Sequence, residues 1–130
     1  MEITNLIAKD IMKKPVISTK KSTFASEVAL QLVSNRISGM PVIDDEERVI
    51  GVITEYDLLN QVRKGKELAR LLAEDVMQKN PITVVVNTPV SYVLDIMLDS
   101  EILRIPVTDG LRLVGVISRS ALLSFTLANI

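Results

Sequence analysis

Neither histidine nor cysteine occurs among the 130 residues. Imidazole bases, thiol nucleophiles, disulfides and every zinc site that depends on those ligands are therefore excluded. No Gly-x-x-x-x-Gly-Lys loop and no Gly-x-Gly-x-x-Gly turn is present. What remains is the chemistry of carboxylates, hydroxyls and guanidinium groups. Thr54-Glu55-Tyr56-Asp57 has the hydroxyl-x-x-acid spacing of a capping box. Capping is worth about 1 kcal/mol and would account for the pattern without any ligand. The acidic run Asp44-Asp45-Glu46-Glu47 has carboxylates enough for a hard cation. It lacks the alternating Asp/Asn and central Gly of an EF-hand loop, so it reads as a solvated turn. Paired acids can do general acid/base work, but no second acid is placed with Asp57. No catalytic residue, metal site or cofactor is assigned, and the chain is not expected to be an enzyme.

The elements that must position these groups come as two copies of one unit. Asp10-Ile11-Met12 returns as Asp75-Val76-Met77, and Met40-Pro41-Val42-Ile43-Asp44 as Ile105-Pro106-Val107-Thr108-Asp109. Arg48 to Thr54 returns as Arg112 to Ser118, Pro15 as Pro81, and Leu58-Leu59 as Leu122-Leu123. A twofold repeat of this length can close on itself about a pseudo-twofold axis, and a seam between copies is then a natural ligand site. Each copy reads as strand, helix, strand, strand, helix. Ser22 is expected to cap a helix over 23–34, and Thr88 to cap its counterpart with Pro89 at the first helical position. The strands are Met40 to Ile43 and Arg48 to Ile53, the following helix runs from Thr54 to near Gly65, and Ser118 starts the last one. Lys66 to Ala73 is charged and free of Gly and Pro, which predicts an ordered helical connection.

Composition sets outer bounds. With 48% hydrophobic residues the chain can bury a core, whereas each half alone would be of marginal size. Fifteen basic and 16 acidic residues leave a net charge of −1, so no nucleic-acid footprint is expected. No apolar run approaches a membrane span, and the start Met1-Glu2-Ile3-Thr4-Asn5 has no signal-peptide character, which points to the cytoplasm.

The order and duplication of these pieces resemble the CBS domain, named after cystathionine β-synthase, over about residues 8 to 125. The resemblance implies a mixed α+β fold of the α/β kind. It has two β-α-β-β-α repeats packed through their sheets, with domains at 8–65 and 73–130 joined by a helical connection at 66–72. It also implies a regulatory module that binds AMP, ADP, ATP or S-adenosylmethionine in a cleft between the copies; the alternative is a structural or dimerising pair without a ligand. A hydrolase or transferase is a distant third.

Carried over residue by residue, the implied nucleotide site takes Thr54, Tyr56 and Asp57 from the first copy. Asn80, Pro81, Ile82, Leu103, Arg104 and Ile105 come from the second. The carboxylate would accept from both ribose hydroxyls, Thr54 and the helix N-terminus would hold phosphate oxygens, and Arg104 would neutralise phosphate. Ile82 and Ile105 would wall the adenine. The mirror cleft would use Ser118 and Ser120 with Lys14, Pro15, Val16, Ile37, Ser38 and Gly39, but Ala121 stands where Asp57 does in the first. Lys14 and Arg36 could still favour an anion there. Weaker binding is the expectation. A module with nothing attached to regulate must act through association, with itself or with an unidentified regulated protein. Ala121, Leu122, Phe125 and Leu127 with Leu58, Leu59 and Val62 are the candidates for a homodimer surface.

Overall fold

The computed structural model describes residues 5–128. The reading of Met1 to Thr4 as lacking a signal, and the last two residues of the second repeat, lie outside them. In chain order the elements are α1 (Ala8–Ile11), β1 (Thr19–Lys20), α2 (Ala25–Asn35), β2 (Gly39–Ile43), β3 (Val49–Thr54) and α3 (Glu55–Arg63). After a 3-10 turn at Leu68–Arg70 come α4 (Ala73–Val76), β4 (Gln78–Lys79), β5 (Val84–Val85), α5 (Val90–Asp99), β6 (Arg104–Asp109), β7 (Arg112–Ser118) and α6 (Arg119–Ala128). The fold is mixed α+β. No helix among the described residues is long and apolar enough to cross a membrane.

The compact units do not follow the repeat boundaries: one is Ile17–Pro81, the other joins residues 5–16 to 82–128. Each Asp-x-Met segment thus packs with the other copy's sheet. In the Ile17–Pro81 unit the sheet order is β1-β2-β3-β4, with β1 parallel to β2 and the rest antiparallel. In the other unit β5, β6 and β7 repeat the pattern, and an isolated bridge from Lys13 to Val116 stands where β4 stands in the first.

Close backbone approach explains two glycines. A Cβ on Gly115 would lie 2.9 Å from Met12 Cβ and 2.5 Å from its Sδ, and one on Gly51 would lie 2.9 Å from the Gln78 carbonyl and against Met77. Methionine adapts to such irregular space. Asp10 and Asp75 do the same job in each segment. Their carboxylates accept from the backbone N–H groups of Ile7 (2.9 Å) and Leu72 (2.8 Å), opening α1 and α4.

Helical periodicity places Ala25, Val28 and Leu32 of α2, and Val90, Val93 and Met97 of α5, on buried stripes. These close two cores. Met40, Val42, Ile53, Leu58 and Ala73 complete the first, and Ala8, Ile105, Val107, Ile117 and Leu122 the second.

Three expectations need correction. Neither Ser22 nor Thr88 caps a helix: α2 begins after Phe24 and α5 after Pro89, without side-chain caps. The exchanged segments do that work. The N–H of Ala25 donates to Leu71 O (2.8 Å), and that of Val90 to Leu6 O (2.9 Å), so the first-turn donors are satisfied by backbone. For the same reason 66–72 is not a helical connection. Leu71 and Leu72 are extended, with Leu72 bridged to Phe24, and only the 3-10 turn remains. The acidic turn is solvated at Asp45, Glu46 and Glu47 as expected, but not at Asp44, which is buried. It accepts from the N–H groups of Glu46 (2.9 Å) and Arg48 (3.0 Å) and from Arg48 Nε (2.8 Å).

Candidate functional site

Thr54 ends β3 in extended conformation and starts α3, as the Thr-x-x-Asp spacing requires. The Asp57 N–H donates to Thr54 Oγ1 (3.2 Å). In return Asp57 Oδ2 accepts from the Thr54 N–H (2.9 Å) and from the Thr54 hydroxyl (2.8 Å). The Thr54 hydroxyl is thus directed at Asp57 and helps to hold the carboxylate in place. The Glu55 N–H is taken by Ser38 O (2.9 Å). Tyr56, 69% exposed, presents its ring to solvent beside the partly buried Asp57.

One partner of this carboxylate escaped the sequence reading. Gln78, on β4 beside Val52, donates from Nε2 to Asp57 Oδ1 (3.1 Å) and Oδ2 (3.2 Å). Two residues on, Asn80 turns the chain in left-handed conformation (φ 57°), which Asn tolerates better than most residues, and leads into Pro81. Thr54, Tyr56, Asp57, Gln78, Asn80 and Pro81 all belong to the Ile17–Pro81 unit.

The other unit carries Ile82, Leu103, Arg104 and Ile105. Ile82 and Leu103 are exposed; Ile105 is fully buried in the core, which leaves Ile82 as the isoleucine open to solvent. Leu103 O accepts from the Arg119 N–H (3.0 Å), as Ser38 O does from Glu55. Arg104 is half-buried, and desolvation pulls its guanidinium below the ordinary value. Strand register agrees with the repeat alignment. Gly39 lies opposite Thr54 and Arg104 opposite Ser118, so the partner of Arg104 in the repeat is Gly39, as the pairing of Met40 with Ile105 requires. The volumes compensate. A Cβ on Gly39 would lie 3.1 Å from Thr54 Cγ2, whereas the serine opposite Arg104 has no methyl.

At the mirror position, Ser118 Oγ accepts from the Ala121 N–H (3.1 Å) and lies 3.1 Å from Ser120 Oγ. The helix start is preserved but the acid is not. Lys13 occupies the place of Gln78, opposite Val116 as Gln78 is opposite Val52. Lys14, exposed, precedes Pro15 through a cis peptide, with Val16 partly buried after it. In the other unit Ile37 and Ser38 are partly buried and Gly39 is buried, while Arg36 is exposed in left-handed conformation at the end of α2. Arg119 is structural: its Nε donates to Ile102 O (2.9 Å) and its Nη2 to Met97 O (3.1 Å), closing α5.

The CBS domain profile matches residues 8–64 and again residues 73–127. The chain belongs to the CBS-domain family. Its fold matches the CBS domain pair of protein MJ0100 in complex with 5′-methylthioadenosine and S-adenosyl-L-methionine. The TM-score is 0.84 at 26% identity, covering 96% of this chain and 98% of that one. CBSX2 from Arabidopsis thaliana, in complex with AMP, matches with TM-score 0.83 at 26% identity over 95% and 97% of the two chains. Among curated relatives, L-aspartate semialdehyde sulfurtransferase of Methanocaldococcus jannaschii is 29% identical over 113 residues, which are 86% of this chain and 21% of that protein. Inosine-5′-monophosphate dehydrogenase of Mycobacterium bovis is 36% identical over 106 residues, 80% of this chain and 19% of the enzyme. The CBS pair thus spans about a fifth of each of these two relatives, and both repeats together account for most of the present chain.

Proposed function

We propose that this CBS pair is a regulatory module that binds an adenosyl ligand of the AMP, ADP, ATP or S-adenosylmethionine class, with Asp57 as the ribose-binding group. The observation that carries the reading is the preset carboxylate. Thr54 fixes Oδ2 through two short bonds, while among the described residues the further partner of the carboxylate is the exposed amide of Gln78. A ribose diol supplies two hydroxyl donors of the spacing a carboxylate accepts, and hydrogen bonds to an ionised acceptor are strong ones. That related CBS pairs are seen with AMP, with 5′-methylthioadenosine and with S-adenosyl-L-methionine supports the class of ligand. Asn80, Pro81 and Ile82 are proposed for the adenine end and Arg104 for phosphate, whose positive charge suits an anion. The mirror set around Ser118 lacks the acid and is proposed as the weaker site.

A second reading has its own observation: every bond Asp57 makes is accounted for by capping and by Gln78, as in a structural pair without a ligand. Thermal melting with an adenosyl panel separates the two. A ligand that binds only the folded state raises the melting temperature by mass action. A rise with at least one of AMP, ADP, ATP and S-adenosylmethionine is expected, and no rise with any of them favours the structural pair.

Association is the proposed output. Burial removes Leu58 and Leu122 from the expected homodimer surface, since both are only 4% exposed and anchor their helices to the cores; Phe125 packs against the second core. Leu59 and Val62 on α3, and Leu123 and Leu127 on α6, are the exposed apolar groups left. Sedimentation should report a dimer at micromolar concentration; a monomer there would reject self-association through these helices.

A further inference from the structure

We propose that Gln78 is an internal competitor of the ligand: its side-chain amide occupies the lone pairs of Asp57 that a ribose needs, and must leave before the sugar can bind. This rests on the ribose-binding role of Asp57 proposed above. The carboxylate is asymmetric. Oδ2 is committed to Thr54 by bonds of 2.9 and 2.8 Å, which are parts of the capping box and persist as long as α3 does. The bonds from Gln78 are longer, 3.1 and 3.2 Å, and come from an exposed side chain with rotamers to spare. Among the described residues the 3.1 Å bond is the one hydrogen bond to Oδ1, the oxygen that capping leaves open.

The backbone of Gln78 is pinned by pairing to Val52 and by the approach of its carbonyl to Gly51. The amide is therefore held near the carboxylate, and withdrawing it needs only side-chain rotation. The repeat supplies an internal comparison. Where the acid is missing, at Ala121, the residue in the place of Gln78 is Lys13, which has no carboxylate to cover. The amide thus stands over the one helix start of the two that has an acid to present.

The test is calorimetry of AMP and adenosine with the parent chain, Gln78→Ala and Gln78→Met, the last keeping length and volume while removing the donor. Loss of a competing hydrogen bond should tighten binding of both ligands by roughly two- to tenfold. Equal tightening for AMP and adenosine is required, because the competition is at the sugar. In parallel, the side-chain amide resonance of Gln78 should move on titration with AMP. Unchanged or weaker affinity in Gln78→Met, with a parent that binds, would refute the competitor and make Gln78 a bystander or a ligand contact, while leaving the role of Asp57 standing. An amide resonance that stays in place as AMP saturates would refute it equally. Absence of binding in the parent and in both variants would sink the ribose-binding reading and the competitor with it; binding that emerges only in the variants would support both.

Discussion

Replacing Asp57 by Asn separates its two jobs. In the parent chain Oδ2 takes the N–H and the hydroxyl of Thr54, and Oδ1 faces the Gln78 amide. An asparagine can turn its carbonyl oxygen toward Thr54, so both capping bonds survive with a neutral acceptor. The loss to the helix is then the charge-to-dipole part, about 0.3–1 kcal/mol for an acid in the first turn. The outward oxygen becomes an NH₂, which cannot accept from a ribose hydroxyl, and the charge that strengthened the other contact is gone. That should cost an adenosyl ligand roughly 1.5 to 3 kcal/mol, on the order of ten- to a hundredfold in affinity. Calorimetry with AMP gives the second number, and melting of the same sample gives the first. The expected result is a small loss of melting temperature together with a large loss of binding, and about one adenosyl site per chain in the parent. An Asn variant that folds and binds as tightly as the parent would return Asp57 to being a helix cap and nothing more.

Ala121→Asp should rebuild the capping box at Ser118, whose hydroxyl already accepts from the N–H of residue 121; a stabilisation of about 0.5–1 kcal/mol is expected in melting, with a second adenosyl site by calorimetry if that acid was all the site lacked. Gly115→Ala drives a methyl into Met12, whose own Cβ would be 2.9 Å away, and should cost about 1–3 kcal/mol by urea unfolding; a neutral effect would mean that Met12 yields freely. Acid should weaken the hairpin between β2 and β3. Hydrogen bonds from the Arg48 backbone and side chain and from the Glu46 N–H hold Asp44 below its ordinary 3.8, so its contribution is complete above that value and is lost as pH falls through the lowered one. Asp44→Asn should flatten stability against pH below about 4 relative to the parent, and parallel acid limbs would dismiss the idea. Leu59→Asp combined with Leu123→Asp should leave each core intact and give monomers in sedimentation, because both side chains are more than three-fifths exposed.

Much of the fold and one half of the candidate site were legible because they rest on short-range rules. The duplication is visible as text, and Thr54 and Asp57 meet across three residues, a distance over which helix geometry alone dictates the bonds. Leu58-Leu59 and Leu122-Leu123 were equally visible, but two adjacent leucines cannot announce which one faces inward. Packing against Ile53 in one core and Ile117 in the other decided for Leu58 and Leu122.

The sequence by itself determined that chemistry here is confined to carboxylates, hydroxyls and guanidinium groups, that the chain holds two copies of one β-α-β-β-α pattern, and that only the first copy has an acid at its third helical position. Tertiary structure alone decided that the Asp-x-Met segments are exchanged between copies, so that Met77 covers Gly51 and Met12 covers Gly115. The exchange moved the starts of α2 and α5 past Ser22 and Thr88, because backbone from a distant segment satisfied donors that a side chain would otherwise cap. It also brought Gln78 onto Asp57 across 21 residues. Such a contact leaves no periodicity in the chain, because it depends on strand pairing between remote segments and not on the repeat distance of any one element.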